Sequence, residues 1–348
     1  MKLLEFKHLP EWDRFVTAHP KGSIFHTNCM IQSLAATRNQ QPFAYAAVDS
    51  HGAICAMLVA IRVITMRGIG LPFAARSIMH AEPICLPTPA GRTGLKRLLA
   101  LHDQHMSRRT LFCEIRPIFA ATEQDESFRE AGYVKAGYLN YEVQLDANNA
   151  EMFGRLGAKR RNNIRSAQRK GVEVFQVVEK KDLEDFYKLI CASYARSRMP
   201  VAECSMFDAT MRCLPAEAVR IFIARYQEKP VATGCFLGFK RRATCWYAGT
   251  LKVPGVPAMT SVFWHAMQDF AADGYQVFDL AGGGWEGEDY GPGKFKSKFG
   301  GQETNFGRYR RIYSRWKLSV ASAVYDRVRK FIAPKVPVDC GGKTIRPN

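Results

Sequence analysis

The chain has 348 residues, 47% of them hydrophobic and 24% charged, with a formal net charge of +18. That composition excludes a disordered or collagen-like chain, and the length favours two hydrophobic cores over one. The longest apolar run, residues 52–61, stops at Arg62 and is too short to span a bilayer.

The N-terminal Met1-Lys2-Leu3-Leu4-Glu5-Phe6-Lys7 has no extended apolar stretch after its charge, so the expected location is cytoplasmic. Ten scattered cysteines without a C-x-x-C pair argue against a zinc site or a disulfide framework. Neither a metal nor a resident cofactor is expected. The charge is uneven: residues 1–150 hold 16 Lys+Arg against 13 Asp+Glu, and the remainder holds 34 against 19. A polyanionic partner for the second half follows from that asymmetry, with a generally basic, well-solvated surface as the alternative.

In chain order, residues 43–61 read as a β-hairpin around Asp49-Ser50-His51-Gly52, followed by a helix over 95–106 and a strand over 111–116. A polar stretch at 144–149 marks a boundary. A long helix over 151–170 ends at Gly171 and carries six cations and no acid between 159 and 170. An amphipathic helix through Phe186, Leu189, Ile190 and Tyr194 precedes Arg196. A second hairpin at 221–239, a strand holding Tyr247, a helix over 262–272 and a strand over 275–280 repeat the first order. The offset is 178 residues at the hairpins and 168 between Gly132 and Gly300, as a divergent duplication would leave it. This order predicts an α/β fold with two mixed sheets flanked by helices. The expected domains are 1–147, 148–316 with the reactive site, and a C-terminal helix and flexible tail over 317–348.

Chemistry concentrates after a glycine-rich loop, Gly282-Gly283-Gly284 to Gly291-Pro292-Gly293, where Lys294-Phe295-Lys296-Ser297-Lys298-Phe299 alternates cations with aromatics. Such a segment holds an anionic or carbonyl-bearing substrate, or it is a solvated turn. Asp279 at the strand exit suits proton abstraction from an amine, or an ordinary bond to a backbone N–H. Lys159, Arg161 and Arg165 form a phosphate-binding face, or the solvated side of a helix whose inward stripe is Phe153, Leu156 and Ile164. Arg196 is a substrate contact or a helix cap, and Tyr247 a substrate contact or core. No Ser-His-Asp or Cys-His constellation is apparent, so transfer without a covalent enzyme intermediate is expected. Arg308-Tyr309-Arg310-Arg311-Ile312-Tyr313 fits a terminal strand with alternating faces or a base-stacking surface. A helix over 318–332 with Val324, Tyr325 and Val328 on one face fits docking onto the first domain, or contact with anionic lipid.

Several of these pieces, in this order, resemble the FemAB/FemX-like aminoacyltransferases, which are built from two GNAT-like domains. They are Ile115-Arg116-Pro117, the basic helix from Lys159 to Val172, Tyr194-Ala195-Arg196, Trp246-Tyr247-Ala248-Gly249, Phe278-Asp279-Leu280 and Phe295-Lys296-Ser297-Lys298-Phe299-Gly300. The resemblance implies transfer of an amino acid from aminoacyl-tRNA to an amine of a peptidoglycan precursor. It places Phe295-Lys296 beside the reacting carbonyl and Arg196 and Tyr247 on the substrate. From the residues themselves, Asp279 joins the expected substrate site and Lys159, Arg161 and Arg165 the donor site. The chain departs from the family in lacking a coiled-coil insertion and in having Met30 where tryptophan is common. The alternative donor is acyl-CoA, which needs backbone N–H groups on a loop before a helix. The second-half loop Val253-Pro254-Gly255-Val256-Pro257 has prolines there, and the first half offers Gly91-Arg92-Thr93-Gly94.

Overall fold

The computed structural model describes residues 1–6, 10–65, 73–146 and 148–328. The chain divides into two compact units, the first made of residues 1–138 with 306–331 and the second starting at Leu139 and running to Asn305.

The first unit contains β1 (Lys2–Glu5), α1 (Pro10–Ala18), α2 (Asn28–Ala36), β2 (Gln40–Val48), β3 (Ile54–Ile64), β4 (Ala75–Met79) and β5 (Ile84–Cys85). It continues with α3 (Pro89–Met106), β6 (Phe112–Ile115), α4 (Asp125–Glu130) and β7 (Val134–Ala136). The second holds β8 (Tyr138–Gln144), α5 (Asn149–Arg155), α6 (Ala158–Arg169), β9 (Glu173–Gln176), α7 (Lys180–Arg196), α8 (Cys204–Cys213), β10 (Val219–Tyr226) and β11 (Lys229–Phe239). Then follow β12 (Arg242–Thr250), α9 (Ala258–Ala272), β13 (Val277–Asp279), β14 (Gly284–Trp285), α10 (Gly291–Lys296) and β15 (Gln302–Asn305), before β16 (Arg308–Ile312) and α11 (Arg315–Val328) return to the first unit.

Both sheets follow one plan. The first runs β1-β2-β3-β4-β6-β16-β7 and the second β14-β8-β13-β12-β11-β10-β9, with β15 also on β8. Each is antiparallel except for one parallel pair, β4 with β6 and β12 with β13. Each parallel pair is joined by a crossover helix that must bury one face, and the apolar spacing supplies it. Leu95, Leu98 and Leu99 of α3 pack on Ala47, Ala56 and Leu58. Val262, Phe263, Met267 and Phe270 of α9 pack with Phe222, Phe236 and Phe278. Each such side chain stabilises its core by about 2 kcal/mol.

The expected repeat is present, down to Gly132 and Gly300, both left-handed at φ 79° and 74° after their short helices. The expected division at residue 147 differs from the way the sheets are completed. β8, just after β7 in sequence, inserts between β13 and β15 of the second sheet, while β16 fills the matching place between β6 and β7 of the first. Each unit therefore takes its penultimate strand from across the sequence boundary. The long helix over 151–170 is two helices, α5 and α6. Leu156 turns extended so that its side chain enters the core, and a Cβ on Gly157 would lie 3.2 Å from the Lys298 carbonyl. The flexible-tail expectation lies outside the described residues beyond Val328.

Candidate active site

The second unit opens where its parallel strands part. β12 pairs with β13 only over Arg242–Thr244, then runs on to Thr250, while β13 ends at Asp279. A bulge at Trp246 bends β12 at the same level. Into this fork α10 brings its last residues, Phe295 and Lys296. The helix sits close because Gly293 meets the Gly283 carbonyl, where a Cβ would be only 2.1 Å away.

Lys296 donates from Nζ to the Gly282 carbonyl at 2.8 Å, and its charge acts on both Asp279 of β13 and Cys245 of β12. An ammonium at the mouth of the fork faces both strands at once. Burial pushes the Cys245 thiol up to about 11, against the pull of Lys296, so it carries no thiolate at neutral pH. Tyr247 is half-buried beside Tyr194, with ring centroids 6.0 Å apart, and edge-on to Phe207 at 5.0 Å. Burial first, then Tyr247, Cys245 and Tyr290, raises the Tyr194 phenol far above its ordinary value. Tyr194, Tyr247 and Phe207 thus pack as an aromatic wall in which the Tyr194 hydroxyl stays protonated.

Asp279 is fully buried. Its Oδ1 accepts from the Ala281 N–H at 2.7 Å, holding the loop whose next carbonyl receives Lys296. Burial raises its pKa to about 6, moderated by Arg242 and the Ala281 N–H. The carboxylate positions the lysine through the loop. Arg196, exposed at the end of α7, donates to the Thr250 carbonyl at 2.8 Å, at the tip of β12.

The cations of the basic helix α6 face different surroundings. Arg161 donates to the carbonyls of Gly154 and Leu156 at the end of α5, Arg165 stacks 5.2 Å over Phe153, and Lys159 is exposed. The cation aimed inward is Arg160, which the sequence reading did not single out. Its side chain is 5% exposed, donates to the Phe295 carbonyl at 2.8 Å and Thr260 Oγ1 at 3.3 Å, and lies 4.0 Å over the Phe295 ring. Its Nε is buried without a hydrogen-bond partner, and burial alone lowers its pKa to about 10. The signal was helical spacing: Arg160, Ile164 and Ala167 share the buried face, so an arginine stood where an apolar residue was due.

Arg160 also lines a cleft of about 500 Å³ with Asn163, Lys252, Val256, Thr260 and Phe295, at the start of α9. Here the fit to an acyl-CoA pyrophosphate can be judged. The Val256 and Thr260 N–H groups bond to Val253 and Pro257 carbonyls, and Pro254 and Pro257 have none. Those four positions offer no free backbone donor, and the positive charge at the cleft comes from Arg160 and Lys252. The first-half candidate, Gly91-Arg92-Thr93-Gly94, lies inside α3, where Gly94 packs against Ala47.

The first unit does contain a Ser-His-Asp contact that the sequence did not reveal. Ser77 Oγ lies 2.8 Å from His102 Nε2, and His102 Nδ1 lies 3.4 Å from Asp103 Oδ1, with Arg311, Tyr133 and Tyr313 also on Asp103. Ser77 and His102 are wholly buried, so the serine and imidazole are core groups, while Asp103 and Arg311 border a cavity of about 530 Å³. Among the described residues no group of His, Cys, Asp and Glu is placed to hold a metal, and no helix is long and apolar enough to cross a membrane.

Residues 158–292 match the acetyltransferase (GNAT) domain family Acetyltransf_6, a span that ends just before Phe295. The solved structure of FemX superposes with a TM-score of 0.66 at 12% identity, covering 94% of this chain and 100% of that one. The fold is that of the FemX-like tandem GNAT proteins. A tandem GNAT protein from the clavulanic acid biosynthesis pathway follows at a TM-score of 0.55 and 11% identity, covering 90% and 98%. L-PGS from Bacillus licheniformis gives 0.53 and 12% over 94% and 99%. No curated protein matches the sequence. The α/β tandem architecture and the GNAT-type acyltransferase fold are as the resemblance implied.

Proposed function

We propose that this protein is an aminoacyltransferase of the FemAB type, moving an amino acid from aminoacyl-tRNA to an amine of a peptidoglycan precursor in the cytoplasm. The observation that carries the reading is Lys296, an ammonium held by the Gly282 carbonyl between the parting strands β12 and β13. In acyl transfer the acceptor nitrogen attacks the ester carbonyl, forming a C–N bond and an oxyanion. The ester C–O bond then breaks, and the amine's proton leaves to the ribose oxygen. A fixed cation at the oxyanion lowers this barrier by about 3 kcal/mol. Arg160 and the phenylalanine cluster hold Phe295 on the far side of α10, which fixes the angle at which Lys296 enters the fork. Tyr247 and Arg196 border the acceptor's approach along β12. Lys159 and Arg165, exposed on α6, with the Arg160 cleft beside them, suit the phosphates of an RNA donor.

A second reading, an acyl-CoA donor, draws on the cleft at the start of α9. The committed N–H groups and two prolines of that loop count against it. The test offers purified protein labelled aminoacyl-tRNA and labelled acyl-CoA, each with nucleotide-linked and lipid-linked precursors. Label moving from tRNA and weakening steeply with salt supports the proposal. Label moving from CoA alone assigns the second reading.

A further inference from the structure

α11 leaves an apolar face in solvent. Trp316, Val320 and Val324 are 63%, 46% and 54% exposed and recur at i, i+4 and i+8, so they form one stripe. Leu318 and Ala321 on the other side are half-buried, and Trp316 keeps one packing contact, edge-on to Phe73 with ring centroids 5.9 Å apart. At 100° per residue, Arg315 and Lys317 stand on either side of Trp316, and exposed Arg327 lies in line with the stripe at its far end. Lys317 Nζ is 5.6 Å from the Trp316 ring. Over 315–327 the sequence carries three cations, Arg315, Lys317 and Arg327, against one acid, Asp326.

From this juxtaposition we infer that α11 is a membrane-surface helix that seats its Trp316–Val320–Val324 stripe in the headgroup region of an anionic bilayer. Charge complementarity chooses this occupant. A groove on a protein would have to match cations on both flanks as well as the stripe, whereas anionic headgroups surround an interfacial helix on every side. The indole at the N-terminal end has the amphipathic shape that sits at the membrane–water boundary. The helix is far too polar to span, so it lies in the plane, about 20 Å long. The binding stands apart from the transfer chemistry: α11 belongs to the first unit, and vesicle binding is read with no substrate present.

The experiment floats the full chain with vesicles of phosphatidylcholine alone and of phosphatidylcholine with phosphatidylglycerol, at low and high salt. It then repeats the flotation with V320S/V324S/W316A and with R315E/K317E. Lys317 is half-buried and Trp316 lies edge-on to Phe73 at 5.9 Å, so the unfolding temperature of each variant is measured beside the flotation, and V320S/V324S replaces the triple variant where W316A lowers it. The expected result is binding only to the phosphatidylglycerol vesicles, weakened by salt and reduced roughly tenfold or more by either variant. Failure of the parent to bind those vesicles, or equal binding by the triple variant, overturns the inference. So does a dimer in sedimentation that the triple variant dissolves, because the stripe would then face a second copy of the chain.

Discussion

The two units use one sheet plan, yet they treat the point where the parallel strands leave each other in opposite ways. In the first, the exit is stitched shut: the Arg116 N–H bonds to the Met79 carbonyl, and the Ile118 N–H to the buried Glu82 carboxylate at 2.9 Å. The residue matching Lys296 in the repeat is Phe128, fully buried and edge-on to Tyr309 at 4.9 Å. In the second, pairing ends at Thr244 and Asp279, and an ammonium occupies the gap. The two copies thus differ at one matching place, an apolar plug in the first and an ammonium in the second, and the proposed function rests on that difference.

The sharpest way to break this contrast is to alter the matching residues. Phe128→Ala should destabilise the first unit by about 3–5 kcal/mol in a denaturant titration, with transfer per folded molecule retained. Lys296→Ala should shift the unfolding midpoint little and lower kcat by about a hundredfold to a thousandfold. If the two variants behave alike, the division into scaffold and site is wrong. A smaller effect is expected at Arg160. Arg160→Met keeps the packing on Phe295 and removes the charge, so donor KM should rise by roughly tenfold with kcat less affected. An unchanged KM would remove the α9 cleft from the donor's path.

Acidity separates the units more gently. Glu82, raised by burial to about 7 from an ordinary 4.5, binds its proton more tightly folded than unfolded. The first unit should therefore lose roughly 1–3 kcal/mol as pH rises from about 4.5 through 7, a loss that Glu82→Gln flattens because an amide oxygen still accepts from Ile118. Asp279, raised to about 6, should give the transfer rate an acid limb near pH 6. Below it the carboxyl is neutral and the lysine loses its facing charge, and Asp279→Asn, neutral throughout, should show no limb and run at every pH near the parent's low-pH rate.

Much of this was legible in the sequence because hairpins and amphipathic helices are local patterns. The matching hairpins, the crossover helices and the paired left-handed glycines all carry periodicities or residue types that a single strand or helix dictates. The exchange of β8 and β16 was not legible, since a strand's pattern says which face it buries and nothing about which sheet it joins. Ser77 of β4 meets the His102–Asp103 pair only where α3 packs over the sheet, a contact that no spacing announces. Arg160 was hidden among six cations, where charge suggested solvent and only its register with Ile164 pointed inward. The apolar face legible on the last helix was Val324, Tyr325 and Val328 with Phe331 and Ile332, the last two outside the described residues. The helix does group with the first unit, while Trp316 and Val320, which join Val324 in an exposed stripe, were not part of that reading. Lys296 was conspicuous by its motif. What the sequence lacked was its place between two diverging strands.

The central claim is that Lys296 supplies the charge for transfer from an RNA-borne ester. The most direct measurement is single-turnover transfer from labelled aminoacyl-tRNA to a peptidoglycan precursor, with the parent protein, Lys296→Ala and Lys296→Arg side by side. The account predicts transfer by the parent, a loss of about a hundredfold or more in Lys296→Ala, and partial recovery in Lys296→Arg. Equal single-turnover rates for the parent and Lys296→Ala would contradict it.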